Sequence, residues 1–358
     1  MNLKDKTEVF EKLGIFLEQF TDTGKDNSGI PWLEELNNRF FQPMESVIQS
    51  SHIHNPWFTE DNVRLALGNI GKALNAEDIV NWLSCYKVPE KQGEPKTVAV
   101  IMAGNIPLAG FHDMLCVLLS GHKLLGKLSI KDEQLPKIIA EIICFLNSDF
   151  ANIIKFKESR LNNFDAVIAT GSGNTSRYFD YYFGKYPNII RKNRSSVAII
   201  DGSETDEDLH LLSDDVFRYF GLGCRSVSSL FVPENYDFKN MLQSFSGYSF
   251  LINHNQWANN YEYQKAVHLI DKIAHLDTGF LLLKEDKSFS SPIAVITYRV
   301  AKSTAEAFEI TVKEKDKLQC VVGNSNLSGK LVPFGKAQEP GLTDYADNVD
   351  TMEFLLNL

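Results

Sequence analysis

The chain has 358 residues, 44% of them hydrophobic, with a net charge of −10. It is long enough for two or more layered units around a large apolar core, and its acidity argues against nucleic acid or an anionic membrane surface as the main partner. Five cysteines (Cys85, Cys116, Cys144, Cys224 and Cys320) without CxxC or Cys/His zinc spacing, no apolar run long enough to span a bilayer and a charged, amphipathic N-terminus unlike a signal peptide together lead us to expect a cytoplasmic protein with no disulfides and no metal site.

Val9, Phe10, Leu13, Phe16, Leu17 and Phe20 recur at helical spacing and predict a helix over 1–21. After a polar break at 21–31, Leu33, Leu36, Phe40 and Phe41 predict a second amphipathic helix over 32–51. Thr59 suits the N-cap of a helix beginning at Glu60, and residues 60–86 carry two helical patterns. This stretch holds no obvious chemistry and reads as a scaffold layer.

The pattern changes at Lys87, where a linker rich in charge and proline begins. Residues 97–102 form a short apolar run, hence a buried strand, leading into Ala103-Gly104-Asn105-Ile106-Pro107. A helix over 108–120, a strand over 123–130 and a helix over 136–147, with Pro136 in its first turn, come next. A strand over 165–170 runs into Gly171-Ser172-Gly173-Asn174-Thr175-Ser176 and a helix over 177–186, and another strand covers 197–200. This alternation predicts an α/β fold with a mostly parallel sheet covered on both faces. Ligands of such sheets bind beyond the carboxyl ends of the strands.

Four places invite chemistry. The Asn105 side-chain amide, at a strand end, can donate to a developing oxyanion; an ordinary turn asparagine fits the same residue. The Gly171-Ser172 loop, between strand and helix, suits a phosphate at the positive end of a helix. It is not a full GxGxxG, because Ser176 stands at the last position, and a plain strand–helix turn fits as well. Arg191, Lys192 and Arg194 form a basic cluster that fits either a phosphate or a solvated turn. Lastly, Cys224 sits in FRYFGLGCRSVSSLFVP, read as a helix, a glycine-flanked turn and a buried strand. Its thiolate is a nucleophile that Arg225 would favour, and a small packing residue is the plainer alternative.

Taken in order, these segments resemble the aldehyde dehydrogenase superfamily. Asn105-Ile106-Pro107 resembles its asparagine–aromatic–proline segment, whose asparagine helps form an oxyanion hole. The strand Gly121 to Ser129 resembles the one whose lysine, here Lys127 with Ser129 nearby, contacts the cofactor ribose. Ala169-Thr170-Gly171-Ser172 resembles the loop beside the cofactor. Gly223-Cys224 falls at the nucleophile, and Val332-Pro333-Phe334-Gly335 resembles a late proline–phenylalanine–glycine loop. The glutamate that activates water in hydrolytic members has no counterpart at residues 190–194, and the later glutamate on the nicotinamide ribose has no clear match at 284–288. Phe220 to Val227 and the tail from Pro333 are similar to the long-chain acyl-CoA reductases of the bacterial luminescence fatty-acid reductase type.

This resemblance implies four parts: a helical N-terminal segment (1–90), an NAD(P)-binding domain (91–195), a catalytic domain carrying Cys224 (196–330) and a C-terminal segment returning to the cleft (331–358). It implies reduction of a long-chain fatty acyl-CoA to the fatty aldehyde, with release of CoA, through a thioester on Cys224. Asn105 would be the second catalytic residue. Lys127, Ser129, Gly171 and Ser172 would bind the cofactor, NADPH, with NADH as the alternative. A homo-oligomer and an acyl-activating enzyme as partner belong to the same expectation. Reduction of an acyl phosphate or a protein-bound acyl group, and a catalytically silent scaffold, are the competing readings.

Overall fold

The computed structural model describes residues 2–21, 29–88, 94–171, 173–324 and 331–358. It divides into two compact units, Met1–Lys192 with Pro340–Leu358, and Asn193–Glu339.

The first unit opens with four helices, α1 (Leu3–Glu18), α2 (Pro31–His54), α3 (Glu60–Ala73) and α4 (Ala76–Ser84). Asn2 and Asp5 close a reciprocal capping box at the start of α1, and Thr59 caps α3 by accepting from the Asn62 N–H. Most of the predicted apolar stripes are buried: Phe10, Leu13, Phe16 and Leu17 of α1 and Leu33 and Leu36 of α2 are essentially inaccessible, while Phe41 is half-buried. Each such side chain contributes about 1.5–3 kcal/mol on burial. These helices share one apolar cluster with the sheet that follows.

That sheet is built from β1 (Thr97–Ile101), α5 (Phe111–Leu119), β2 (Lys123–Lys127), α6 (Gln134–Leu146), β3 (Ile154–Phe156), β4 (Ala166–Thr170), α7 (Gly173–Phe183) and β5 (Asn188–Arg191). All five strands are parallel, in the order β3-β2-β1-β4-β5. Val98, Ala99 and Val100 of β1 and Ala166 to Ala169 of β4 are fully covered, as expected for strands packed on both faces. Connections leave β1 toward β2 on one side, while β4 lies on the other. The carboxyl ends of β1 and β4 therefore flank the switch point of the sheet, where such folds take their ligands.

Several boundaries differ from expectation. Helix α5 begins at Phe111 rather than 108, because Leu108 is left-handed (φ 57°) and cannot continue a helix. Strand β2 stops at Lys127 because Ser129 and Asp132 close a turn, with the Asp132 N–H donating to the Ser129 carbonyl at 3.0 Å. Helix α7 starts at Gly173, so most of the glycine-rich loop is its first turn. Residues 188–191 are a strand.

The second unit contains β6 (Ser195–Ile199), α8 (Asp206–Phe217), β7 (Val227–Val232), α9 (Lys239–Phe245), α10 (Asn255–Ile270), β8 (Leu276–Asp277), β9 (Leu282–Glu285), β10 (Val295–Val300), α11 (Thr304–Lys313) and β11 (Leu318–Gly323). Its six strands run in the order β11-β6-β7-β10-β9-β8, parallel except where β8 meets β9. Helix α8 starts on a Thr205–Asp208 capping box, with Asp206, Glu207 and Asp208 at its positive end.

The chain then returns to the first unit and ends in α12 (Thr351–Leu356). A directed hydrogen-bond chain ties this tail down: the Trp82 indole donates to the Tyr345 hydroxyl (2.7 Å), Tyr345 to Tyr86 (2.7 Å) and Tyr86 to the Asp350 carboxylate (2.6 Å). Among the described residues, no helix is long and apolar enough to cross a membrane, no group of three or more His, Cys, Asp or Glu stands ready for a metal ion, and no disulfide joins the five cysteines.

Candidate active site

Cys224 owes its setting to a backbone that cannot continue as helix. After α8 ends at Phe217, Tyr219, Phe220 and Gly221 are all left-handed, with φ of 55°, 55° and 68°. For a non-glycine residue this costs about 1–3 kcal/mol. The buried rings of Tyr219 and Phe220 hold it in place, Phe220 lying 4.5 Å from the His254 ring. The following turn is closed by the Ser226 N–H donating to the Gly223 carbonyl at 3.0 Å, and β7 begins at Val227. Cys224 is half-buried. Its carbonyl accepts from the hydroxyl of Ser196, a fully buried residue of β6 whose Oγ also lies 3.1 Å from the Cys320 Sγ. The predicted turn and buried strand are observed, but of the stretch read as helix only Phe217 lies in α8, and residues 218–221 form a kinked turn.

The loop 333–338 is fastened to the same turn. Asp215, fully buried on α8, accepts the N–H of Gly335 (2.7 Å) and of Ala337 (2.8 Å) on its two carboxylate oxygens. Burial pushes this carboxyl up to about 7, against the opposing pull of the two N–H groups. The Gln338 amide donates to the Asp215 carbonyl and to the Ser226 hydroxyl. Arg225 donates its Nε–H to the Ala337 carbonyl at 2.5 Å. Gly335 is left-handed (φ 78°), and a Cβ there would stand 2.8 Å from Leu211, so only glycine fits.

The other candidate residues belong to the first unit, at the carboxyl ends of adjacent strands. Asn105 is exposed on the turn after β1. Lys127, half-buried, ends β2 in register with Ile101, and its carbonyl accepts the Met102 N–H at 3.0 Å. Ser129 follows; its Oγ would lie 2.5 Å from a Cβ on Gly104, so the Asn105 turn and the Ser129 turn are in tight contact. Gly171 follows β4, the neighbour of β1 on the other side. Asn105 and Gly171 therefore flank the switch point, with Lys127 and Ser129 at the end of β2, the neighbour of β1 on its other side. Ser172 lies outside the described residues.

Arg191 of the basic cluster is taken up inside the first unit. Arg191 is buried, paired with both carboxylate oxygens of Asp113 and donating to the Thr351 hydroxyl at 2.9 Å. The Lys192 N–H donates to Asp347, and Arg194 caps the carbonyls of Lys315 and Leu318. His112 is likewise structural: its Nε2–H donates to the Leu342 carbonyl (2.9 Å), it packs between Trp82 and Tyr345, and burial lowers its pKa.

Sequence reasoning missed Asp132 and Asp215. Asp132 is buried, with its Oδ2 accepting the Leu108 N–H at 2.7 Å, and burial pushes its carboxyl up to about 7. For Asp215 a signal existed: it stands three residues after Leu212 and beside Val216, on the apolar stripe of α8.

Two units of this kind define the aldehyde dehydrogenase fold. The chain is similar to aldehyde dehydrogenase 21 from Physcomitrella patens in complex with succinate (13% identity, TM-score 0.62, covering 100% of this chain and 84% of that one). It is also similar to an aldehyde dehydrogenase of Mycobacterium tuberculosis complexed with NAD+ (11%, 0.63, 92% and 76%) and to an acetylating aldehyde dehydrogenase from Geobacillus thermoglucosidasius (13%, 0.58, 99% and 90%). No curated protein matches it in sequence. The acyl-CoA reductase (LuxC) family profile matches residues 81–319, and the chain belongs to that family of acyl-reducing oxidoreductases.

Proposed function

We propose that the protein reduces a long-chain acyl-CoA to the fatty aldehyde with NADPH, releasing CoA, through a thioester on Cys224. The observation that carries this function is the setting of Cys224 in a chain of this family: a half-buried thiol on a turn whose backbone is fixed by Ser196 and by the loop that Asp215 clamps. In this proposal the parallel sheet of the first unit is the cofactor-binding domain, and the second unit carries the nucleophile.

The Cys224 thiolate attacks the thioester carbonyl, and the Asn105 amide donates to the resulting oxyanion. Collapse expels the CoA thiolate and leaves an acyl group on Cys224. NADPH, when bound, supplies the hydride equivalent that an acyl thioester needs to reach the aldehyde level. Water has to lose this competition. At residues 190–194 the water-activating carboxylate is replaced by Ile-Arg-Lys-Asn-Arg, and Arg191 there is tied to Asp113. Absence of a positioned base slows a hydrolytic step about 10²–10⁴-fold.

The donor set at the end of β2 fits NADPH. Sheets of this type read a plain ribose with an acidic residue near this end and a 2′-phosphate with a cation. Here Lys127 and Lys131 stand there, Asp132 is turned inward to the Leu108 N–H, and Glu133 is paired with Lys137. Ser129 and Gly171 would complete the cofactor contacts, with Ser172 beside them. Cysteines without disulfides suit a cytoplasmic enzyme. Exposed Leu269 and Ile270 at the end of α10 suit contact between copies of the chain.

The test is aldehyde formation from a series of acyl-CoAs with NADPH or NADH, for the wild type and Cys224→Ala. Aldehyde from wild type alone supports the proposal. Aldehyde from both removes Cys224 from the chemistry. Aldehyde from acyl phosphate or a protein-bound acyl group, but from no acyl-CoA, replaces the proposed substrate. Silence toward every donor leaves a scaffold.

A further inference from the structure

Two buried polar side chains grip the Asn105 turn at its two ends. At one end Asn55, 3% exposed, donates its side-chain amide to the Gly104 carbonyl at 3.3 Å. Asn55 is itself fixed at the end of α2: its Oδ1 accepts the Trp57 N–H and its carbonyl the Phe58 N–H. At the other end Asp132, 5% exposed, accepts the N–H of left-handed Leu108 on Oδ2 at 2.7 Å. Its Oδ1 meets no hydrogen-bond donor among the described residues. Burying a carboxylate with one oxygen unsatisfied is destabilising, so its place is not explained by stability. What it secures is the backbone geometry of Leu108. Between the two grips lie only Asn105, Ile106 and Pro107, and Pro107 has its φ fixed by its ring. Ser129, against Gly104, closes a third side.

We propose that Asp132 and Asn55 are positioning residues for Asn105, holding residues 104–108 so that the Asn105 amide is oriented before the oxyanion forms. This rests on the oxyanion role given to Asn105 above. A donor of that kind works because it is aimed before charge develops, and it does not need to reorganise during the reaction. Neither Asp132 nor Asn55 acts on the substrate itself; each acts through the backbone of the turn.

The test is a double-mutant cycle. Asn105→Ala, Asp132→Ala, Asp132→Asn and the pair Asn105→Ala/Asp132→Ala are assayed with NADPH and a saturated long-chain acyl-CoA. A misplacement of about 1 Å at a reacting centre costs on the order of 10²-fold, so Asp132→Ala is expected to lower kcat by about 10- to 100-fold, with KM for the acyl-CoA moved less than about 3-fold. Asp132→Asn, whose amide oxygen still accepts from Leu108, is expected within about 3-fold of wild type. In the Asn105→Ala background, Asp132→Ala should cost less than about 2-fold. An equal cost in both backgrounds overturns the proposal. So does wild-type kcat in Asp132→Ala when Asn105→Ala is depressed. Wild-type kcat in Asn105→Ala is a separate outcome: it removes the oxyanion role, and the positioning role with it. If circular dichroism shows Asp132→Ala unfolded, Asn55→Ala takes its place in the cycle, with the same outcomes deciding.

Discussion

Arg191 separates a structural reading of the basic segment from a phosphate-binding one. Its guanidinium is 4% exposed, bidentate on Asp113 of α5, and donates to Thr351 of α12. It therefore joins β5 to α5 through a buried ion pair and to α12 through a hydrogen bond. Replacing it by Met keeps the unbranched stem and leaves the Asp113 carboxylate buried without its cation. Breaking a buried pair from one side costs about 3–5 kcal/mol, because the orphaned charge has to be neutralised or hydrated. In a unit of this size each kcal/mol moves the melting temperature by about 2–4 °C, so Arg191→Met should melt roughly 6–20 °C below wild type. Asp113→Leu/Arg191→Met removes both charges and should recover most of the loss, since an apolar pair of similar volume is often neutral or better. Differential scanning fluorimetry of the three proteins decides. A melting temperature within about 2 °C of wild type, with a raised KM for NADPH or acyl-CoA, would refute this account and return Arg191 to the phosphate reading.

Other consequences follow from the buried carboxyls and the close backbone contacts. Asp132 and Asp215 are each pushed up to about 7 by burial, above the roughly 3.9 of an unfolded chain. A raised folded-state pKa means that the cost of burying their charge is absent below about pH 4 and grows as pH rises to about 7. Urea unfolding of Asp215→Asn should therefore lose less stability than wild type between pH 5 and 8, by up to about 1.4 kcal/mol per pH unit. Parallel curves would contradict the buried setting of Asp215. Gly104→Ala would place a Cβ 2.5 Å from the Ser129 hydroxyl and displace the Asn105 turn. We expect a fall in kcat of about 10-fold or more with Cys224 alkylation by iodoacetamide unchanged; wild-type kcat would show that the turn tolerates the shift.

The sequence made the parallel strands legible because they are buried on both faces, as the Val98–Val100 and Ala166–Ala169 runs show. The caps were legible too, as at Thr59. β5 was not, because Arg191 marks a strand as exposed until Asp113, 78 residues away, is known to meet it. The start of α5 is not legible because nothing in the sequence announces that Leu108 is left-handed, or that its N–H meets Asp132, a partner that chain order hides. In the site, Cys224 and Asn105 stood out by residue type and by the order of the surrounding segments. Asp132 and Asp215 did not, since an acidic residue in an acidic chain is read as solvated unless its partners are seen. Both take backbone N–H groups distant in sequence, and only the fold brings those donors to them.

The central claim is that Cys224 carries the acyl group. The most direct measurement is to mix the protein with a long-chain acyl-CoA without NADPH, quench in acid within seconds, and map the acyl adduct by mass spectrometry while titrating released CoA. We predict one acyl group on the peptide containing Cys224, matched by an equal amount of CoA, and discharge of that adduct to aldehyde when NADPH is added before the quench. An adduct confined to another cysteine, or aldehyde formed with no adduct at any time, would contradict it.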